Sequence, residues 1–316
     1  MKKIAYILIG LLFLVSLPAS AQEPEGFSLA ISPLINNIEV EPGGVRSGFV
    51  EVYNNSSKDV EVIASTVDFE DGGGGHVNII DNSKTQKPAE TLLSNWIQVN
   101  PEPLLIPAGK GRSVPFRIEV PETAEPGGKY GAILTSTKPV EDYEDTYLAL
   151  SASVGSLFLV SVTGDIVEDA VLKEFTAEEL YYRNDRIEIG FTIENRGNVH
   201  IRPRGEIRIY NQDRKVDTIP INKVTRFGNI LPDSERSWSF TWKDKNDIME
   251  AGRYKAVLFL EYGEDRDTIT RDLDFWLLPV GKNSAVAILL SFSAFLLLVV
   301  FRVFEIYILR SSNENS

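Results

Sequence analysis

Apolar residues follow two rules along this chain. Through the middle they fall at every second position, and at both ends they form long runs without charge. The alternating stretches are Phe27 to Ile31, Ile38 to Val40, Gly48 to Val52, Val60 to Val67, Val114 to Val120, Tyr130 to Leu134 and Leu148 to Val162. A second series holds Ile187 to Ile193, Val199 to Ile201, Gly205 to Ile209, Ser237 to Trp242, Tyr254 to Tyr262 and Ile269 to Leu278. Period two is the signature of half-buried strands. Clusters of Pro, Gly, Asn and Ser at 42–44, 54–57, 108–111, 195–198 and 263–267 predict turns, and Asp71 to Gly75 a flexible loop. Ala89 to Asn95 and Lys245 to Met249 are the two short helical turns expected between the ends.

The two series resemble each other. Arg112, Ser113, Phe116, Gly128, Tyr130, Ala132 and Leu134 recur as Arg236, Ser237, Phe240, Gly252, Tyr254, Ala256 and Leu258, each displaced by 124 positions. Upstream, Val50-x-Val52-x-Asn54 is matched by Phe191-x-Ile193-x-Asn195. In both copies the Phe is expected in one strand and the Gly at the turn into the next. Tyr, Ala and Leu then share one face, expected to be the core. The fold class expected is all-β: two tandem immunoglobulin-like β-sandwiches at 22–166 and 167–280. One large sandwich or barrel is the alternative.

The apolar ends add a signal peptide and a transmembrane helix. Residues 1–21 have a basic start (Lys2, Lys3), an apolar stretch and a small-x-small cleavage site, Ala19-Ser20-Ala21. Ser284 to Phe301 runs for eighteen residues without charge, Pro or Gly. About twenty such residues in a helix cross the hydrocarbon layer. The span is therefore placed at 284–304 and a tail at 305–316. Arg302 and Arg310 follow it and only Lys282 stands just before it, so the C-terminus is expected in the cytoplasm and the exported N-terminal part outside.

The whole chain carries 32 Lys+Arg against 45 Asp+Glu, a net charge of −13. The apolar ends hold more of the bases than of the acids, so the middle is more acidic still. Such a surface repels polyanions, and no nucleic-acid partner is expected. With no cysteine, disulfides and thiolate chemistry are excluded. Only His76 and His200 could serve a histidine-based centre, and neither has a partner nearby in sequence. No catalytic residue, metal or cofactor is assigned, and no enzymatic activity is expected. Two acidic clusters, Asp68/Glu70/Asp71 and Glu141/Asp142/Glu144/Asp145, have oxygen ligands of the kind calcium takes but lack its loop spacing. They read as solvated hairpin tips. Trp96, Trp238, Trp242 and Trp276 read as packing residues before sugar platforms. Asn54 to Ser57 contains glycosylation sequons.

The order of Leu29-x-Ile31-x-Pro33, Val50 to Ser57, Trp96-Ile97, Pro107-x-Gly109, Val120-Pro121 with Gly127-Gly128, and Val154 to Gly164 is similar to a known layout. With Glu194 to Asn198 and the C-terminal helix, it resembles the bacterial WxL-interacting proteins of the cell surface. That resemblance implies a first domain contacting peptidoglycan and a second contacting a host or matrix component. The tail lacks that family's basic cluster. The start also looks like periplasmic pilus chaperones, which share the sandwich pair but are normally soluble and basic. The expected function is a membrane-anchored, non-enzymatic surface protein, adhesive toward cell-wall polymer or another surface protein. The alternative is a chaperone-like accessory subunit that binds its partners by strand addition.

Overall fold

The computed structural model describes residues 28–81, 84–85, 87–137, 152–181, 186–223, 228–243, 250–278 and 280–313. The cleavage site at Ala19 and Ala21, the acidic tip at 141–145 and the turn at 245–249 lie outside them.

The first module holds ten strands: β1 (Leu29–Ser32), β2 (Ile35–Val40), β3 (Val45–Asn54), β4 (Val60–Asp71), β5 (Val77–Ile80), β6 (Ile97–Val99), β7 (Leu104–Ile106), β8 (Gly111–Glu119), β9 (Gly127–Thr137) and β10 (Ser153–Val162). A 3-10 turn, Ala89–Thr91, and the single-turn α1, Leu93–Trp96, stand where a helical turn was expected. One sheet runs β1-β3-β8-β6, the other β2-β10-β9-β4-β5 with β7 also on β4. Alternation decides the packing. Val114, Phe116 and Ile118 of β8 are buried while their neighbours are exposed. They meet Val50, Val52, Val62, Ile106, Ile133, Phe158 and Val160 in one core.

The second module repeats this plan with β11 (Ala170–Ala177), β12 (Leu180–Tyr181), β13 (Ile187–Asn195), β14 (Arg204–Asn211), β15 (Arg214–Ile221), β16 (Ser234–Trp242), β17 (Gly252–Tyr262) and β18 (Asp267–Leu277). Its sheets run β11-β13-β16 and β12-β18-β17-β14-β15. In each module the leading strand pairs antiparallel with the first sheet. The chain then crosses over and runs parallel to the last strand of the other, β2 on β10 and β12 on β18. A separate core forms around Ile189, Phe191, Ile193, Ile207, Leu258 and Phe275. Tyr254 stacks on Phe275 at 5.4 Å, and Tyr181 meets the same ring edge-on at 5.7 Å. Large aromatic area supplies what a disulfide might in a domain of this kind. Two cores replace the single undivided sandwich held as the alternative.

The 124-residue displacement holds in one strand pair and fails in the next. Arg112 lies opposite Val52, and Arg236 opposite Ile193, so β8 and β16 correspond at that spacing. In the following strands the cross-strand pairs are Gly127 with Val162 and Gly252 with Leu277, positions 125 apart. One residue of slip turns a strand's whole side-chain set over. Tyr254, Ala256 and Leu258 therefore face the core of their module, as expected. Tyr130, Ala132 and Leu134 face away from theirs, contrary to expectation, and join a third apolar cluster with Ile35, Phe69, Leu157 and Leu159.

Leu231 of the second module packs on that cluster. His200 also covers it, edge-on to Tyr130 with ring centroids 5.8 Å apart. Val199 to His200 is not the expected strand, since only Ile201 pairs, in an isolated bridge to Ile230. Residues 163–169 join the modules, and Asn198 gathers the junction. Its backbone N–H donates to the Val167 carbonyl, its side chain accepts from Val167 N–H and donates to the Asp165 carbonyl, and its own carbonyl accepts from Gly128 N–H at 2.8 Å. The approach is so close that a Cβ on Gly127 would stand 2.7 Å from the Asn198 oxygen. Gly127 also has φ +119°, so side chains are doubly excluded there.

The Asp71 to Gly75 loop is closed rather than loose. Gly72 N–H donates to the His76 carbonyl and His76 N–H to the Gly73 carbonyl. Gly75 rests on the Arg236 guanidinium of the second module, close enough that a Cβ would meet it at 2.7 Å.

Candidate partner-binding edge and membrane anchor

The residues assigned to the anchor lie together on α2, Lys282–Asn313. Its apolar window, Asn283–Phe304, is 22 residues long, has mean hydropathy 2.6 and buries nothing against the rest of the chain. At ~1.5 Å per residue it reaches about 33 Å, enough for a bilayer core. Ser284 opens the uncharged run and Phe301 closes it with its ring 66 % exposed. Arg302 comes next, inside the window and within a turn of its end, where its stem can reach the interface. The two mid-helix serines bond within the helix, Ser291 to the Ala287 carbonyl and Ser293 to the Leu289 carbonyl, so no hydroxyl needs a partner from lipid.

The second feature is the outer border of β10. This strand runs from Ser153 to Val162, but β2 pairs only with Leu157 to Val162. The segment Ser153 to Ser156 has no strand on its outer side among the described residues. The peptide Ser32-Pro33 is cis, and the chain turns there from the first sheet into the second. Ser156 and Asn36 secure the crossing, Ser156 donating to the Pro33 carbonyl and Asn36 to the Ser156 hydroxyl and the Leu157 carbonyl.

Hydrogen-bond parity identifies the free groups. Ala152 faces β9, exchanging bonds with Thr137 through Thr137 N–H to its carbonyl and its own N–H to the Thr137 hydroxyl. Leu157 faces outward, its N–H donating to the Leu34 carbonyl. Ser153 and Gly155 share the parity of Leu157, so their N–H and carbonyl groups point to the open side. Beneath them the interior is partly polar, with Thr135 and Thr137 buried. Val154 is only partly buried, and the buried Thr135 hydroxyl has no hydrogen-bond partner. A strand border of this kind accepts another extended chain.

Clefts open between the modules, two of them large. One, of 560 Å³, is lined by Asn37, Glu39, Thr163, Glu168, His200 and Glu264 among others, and its charge is acidic. Burial lowers His200 to a pKa of about 4, so its ring is neutral at neutral pH. The other, of 580 Å³, runs past Phe69, Lys87, Tyr130, Asn198 and Asp233. His76 is exposed at the β4–β5 turn and His200 is largely buried where the second module meets the first. No group of three metal-ligating side chains occurs among the described residues.

Several residues singled out in the sequence prove structural. Asp68 is buried and accepts from the Ser94 backbone N–H and hydroxyl, so it cannot join Asp71 around a cation. Asn54 of the first sequon is fully buried and unavailable to a glycan. Trp96 and Trp242 are buried, and Trp238 stacks on Phe191 at 4.9 Å. Trp276 alone among the four is largely exposed. The free β10 border was not legible in the sequence, because alternation marks faces and not which strand borders lack neighbours.

No family model matches the chain, and no curated protein does. Solved structures do match. The class 5 fimbriae chaperone CfaA is 15% identical with a TM-score of 0.38, covering 80% of this chain and 100% of its own. The E. coli chaperone DraB is 13% identical with a TM-score of 0.33, covering 80% and 97%. The CsuC–CsuE chaperone–tip adhesion subunit complex from Acinetobacter baumannii gives 12% and 0.35, covering 79% and 99%. Likenesses of this size establish neither family nor partner.

Proposed function

We propose that this chain is a membrane-tethered accessory protein of a surface assembly, which holds an extended segment of a protein partner along the outer border of β10. It works by binding and not by turnover. The observation that carries the reading is the segment Ser153 to Ser156, which no strand covers among the described residues, with two outward-pointing peptide groups beside the partly buried Val154 and the unpartnered Thr135 hydroxyl. Peptide groups on such a border gain ladder hydrogen bonds from an added strand, and side chains at alternate positions of that strand can cover the partly buried Val154 at the core's margin. The helix α2 crosses the cytoplasmic membrane and holds the modules on its outer side.

A cell-wall polymer draws less support as the ligand. Polymer binding calls for exposed aromatic platforms, and three of the four tryptophans are turned inward or stacked. Photocrosslinking in intact cells tests the reading. A crosslinker at Ser153 should capture a discrete protein partner, while one at Lys215 on the far strand β15 should not. Equal capture at both positions, or capture at neither, would overturn it.

A further inference from the structure

Trp276 is 52 % exposed on the solvent face of β18, where Trp96 and Trp242 are 4 % exposed in their cores. The outward residues before it on this strand, Thr268, Thr270, Asp272 and Asp274, are polar. Its register partner on β12 is Leu180, itself 40 % exposed. Apolar surface along this border is thus gathered at one end, the end from which the chain departs toward α2.

The module holds the chain almost to that helix. Trp276 N–H donates to the Glu179 carbonyl at 2.8 Å and Leu278 N–H to the Tyr181 carbonyl at 2.9 Å. Only residues 279–281 then precede Lys282, the first residue of α2. From Leu278 to Lys282 the extended chain reaches about 14 Å at most. The β12–β18 end of the module is therefore confined close to wherever the apolar window begins. An indole joins a wide apolar ring to one N–H donor, the combination that concentrates in the headgroup layer.

We infer that Trp276, with Leu180 beside it, seats in the headgroup layer of the bilayer that α2 crosses, so that the second module stands on the membrane. This rests on the reading of α2 as a membrane span. The two are separable with the full chain reconstituted in phosphatidylcholine vesicles, some made with lipid brominated near the headgroup and some near the bilayer centre. Co-flotation with vesicles reports the span. Tryptophan emission should be quenched by the shallow label more than by the deep one, and Trp276→Phe should lose most of that shallow quenching while Trp238→Phe keeps it. A chain that co-floats but shows no shallow quenching, or shows it undiminished in Trp276→Phe, overturns the inference and leaves the span intact. A chain that does not co-float removes both.

Discussion

Asn54 and Asn195 make the same three hydrogen bonds at the same place in their two modules. Asn54 donates to the Lys58 and Ile106 carbonyls and accepts from Ser56 N–H. Asn195 donates to the Val199 and Ile230 carbonyls and accepts from Gly197 N–H. Each is fully buried and closes the strand β3 or β13 onto the chain that precedes β8 or β16. Removing either side chain strands buried carbonyls, so Asn54→Ala and Asn195→Ala should each destabilise their own module by ~2–4 kcal/mol. Urea unfolding of the full chain in detergent, followed by emission from Trp96 for one module and Trp242 for the other, should show only the mutated module shifting to lower denaturant.

The junction depends on the bare backbone at Gly127. A methyl group there would meet the Asn198 carbonyl oxygen and sit at a φ that side chains avoid. Gly127→Ala should part the Gly128–Asn198 bond and cost ~1–3 kcal/mol of contact between modules. Small-angle scattering should report a broader distribution of shapes, with each module's own unfolding little changed. Unaltered scattering would show that the contact at Leu231 suffices alone.

Acid should loosen the same junction through His200. Its pKa is about 4 in the folded chain because burial penalises the charged ring, against about 6.5 when unfolded. Below the unfolded value the unfolded chain takes up the proton first, so stability is full above pH ~6.5 and falls as pH drops toward 4. The loss reaches at most about 3 kcal/mol and levels off below that pH. His200→Phe, which keeps the contact with Tyr130, should flatten this part of the melting-temperature profile.

The β10 border can be blocked without harming the fold. Proline at Ser153 removes an outward N–H that no described neighbour uses, and the first position of a strand tolerates it. Ser153→Pro should lower partner capture several-fold while leaving the melting temperature within a few degrees of the parent, roughly 1 kcal/mol. Thr218→Pro on the far strand β15 serves as the control, and equal loss in both would count against the border as the binding site.

Alternation of apolar residues revealed the strands, and constant spacing revealed the likeness of the modules. These signals are local, so they survive in the sequence. The matching burial of Tyr254, Ala256 and Leu258 was readable in this way. The outward turn of Tyr130, Ala132 and Leu134 was not, because the face a strand presents depends on pairing fixed by its neighbours. Identical letters at identical spacing concealed opposite orientations. His200 was misread as a strand residue for a related reason. Its neighbours Val199 and Ile201 are apolar because one packs at the junction and the other enters a core, with no ladder between them. The long apolar helix α2 was the most legible element, since an uncharged run of that length shows in composition alone.

The one-residue slip between β9 and β17 makes the two halves non-interchangeable. A chain built from two copies of the second half would keep both interiors sound and lose the oily back that Leu231 and His200 grip. Its upper half would swivel on the linker like an unlatched arm. The relative aim of the two modules thus traces to a register, a property that no single residue carries.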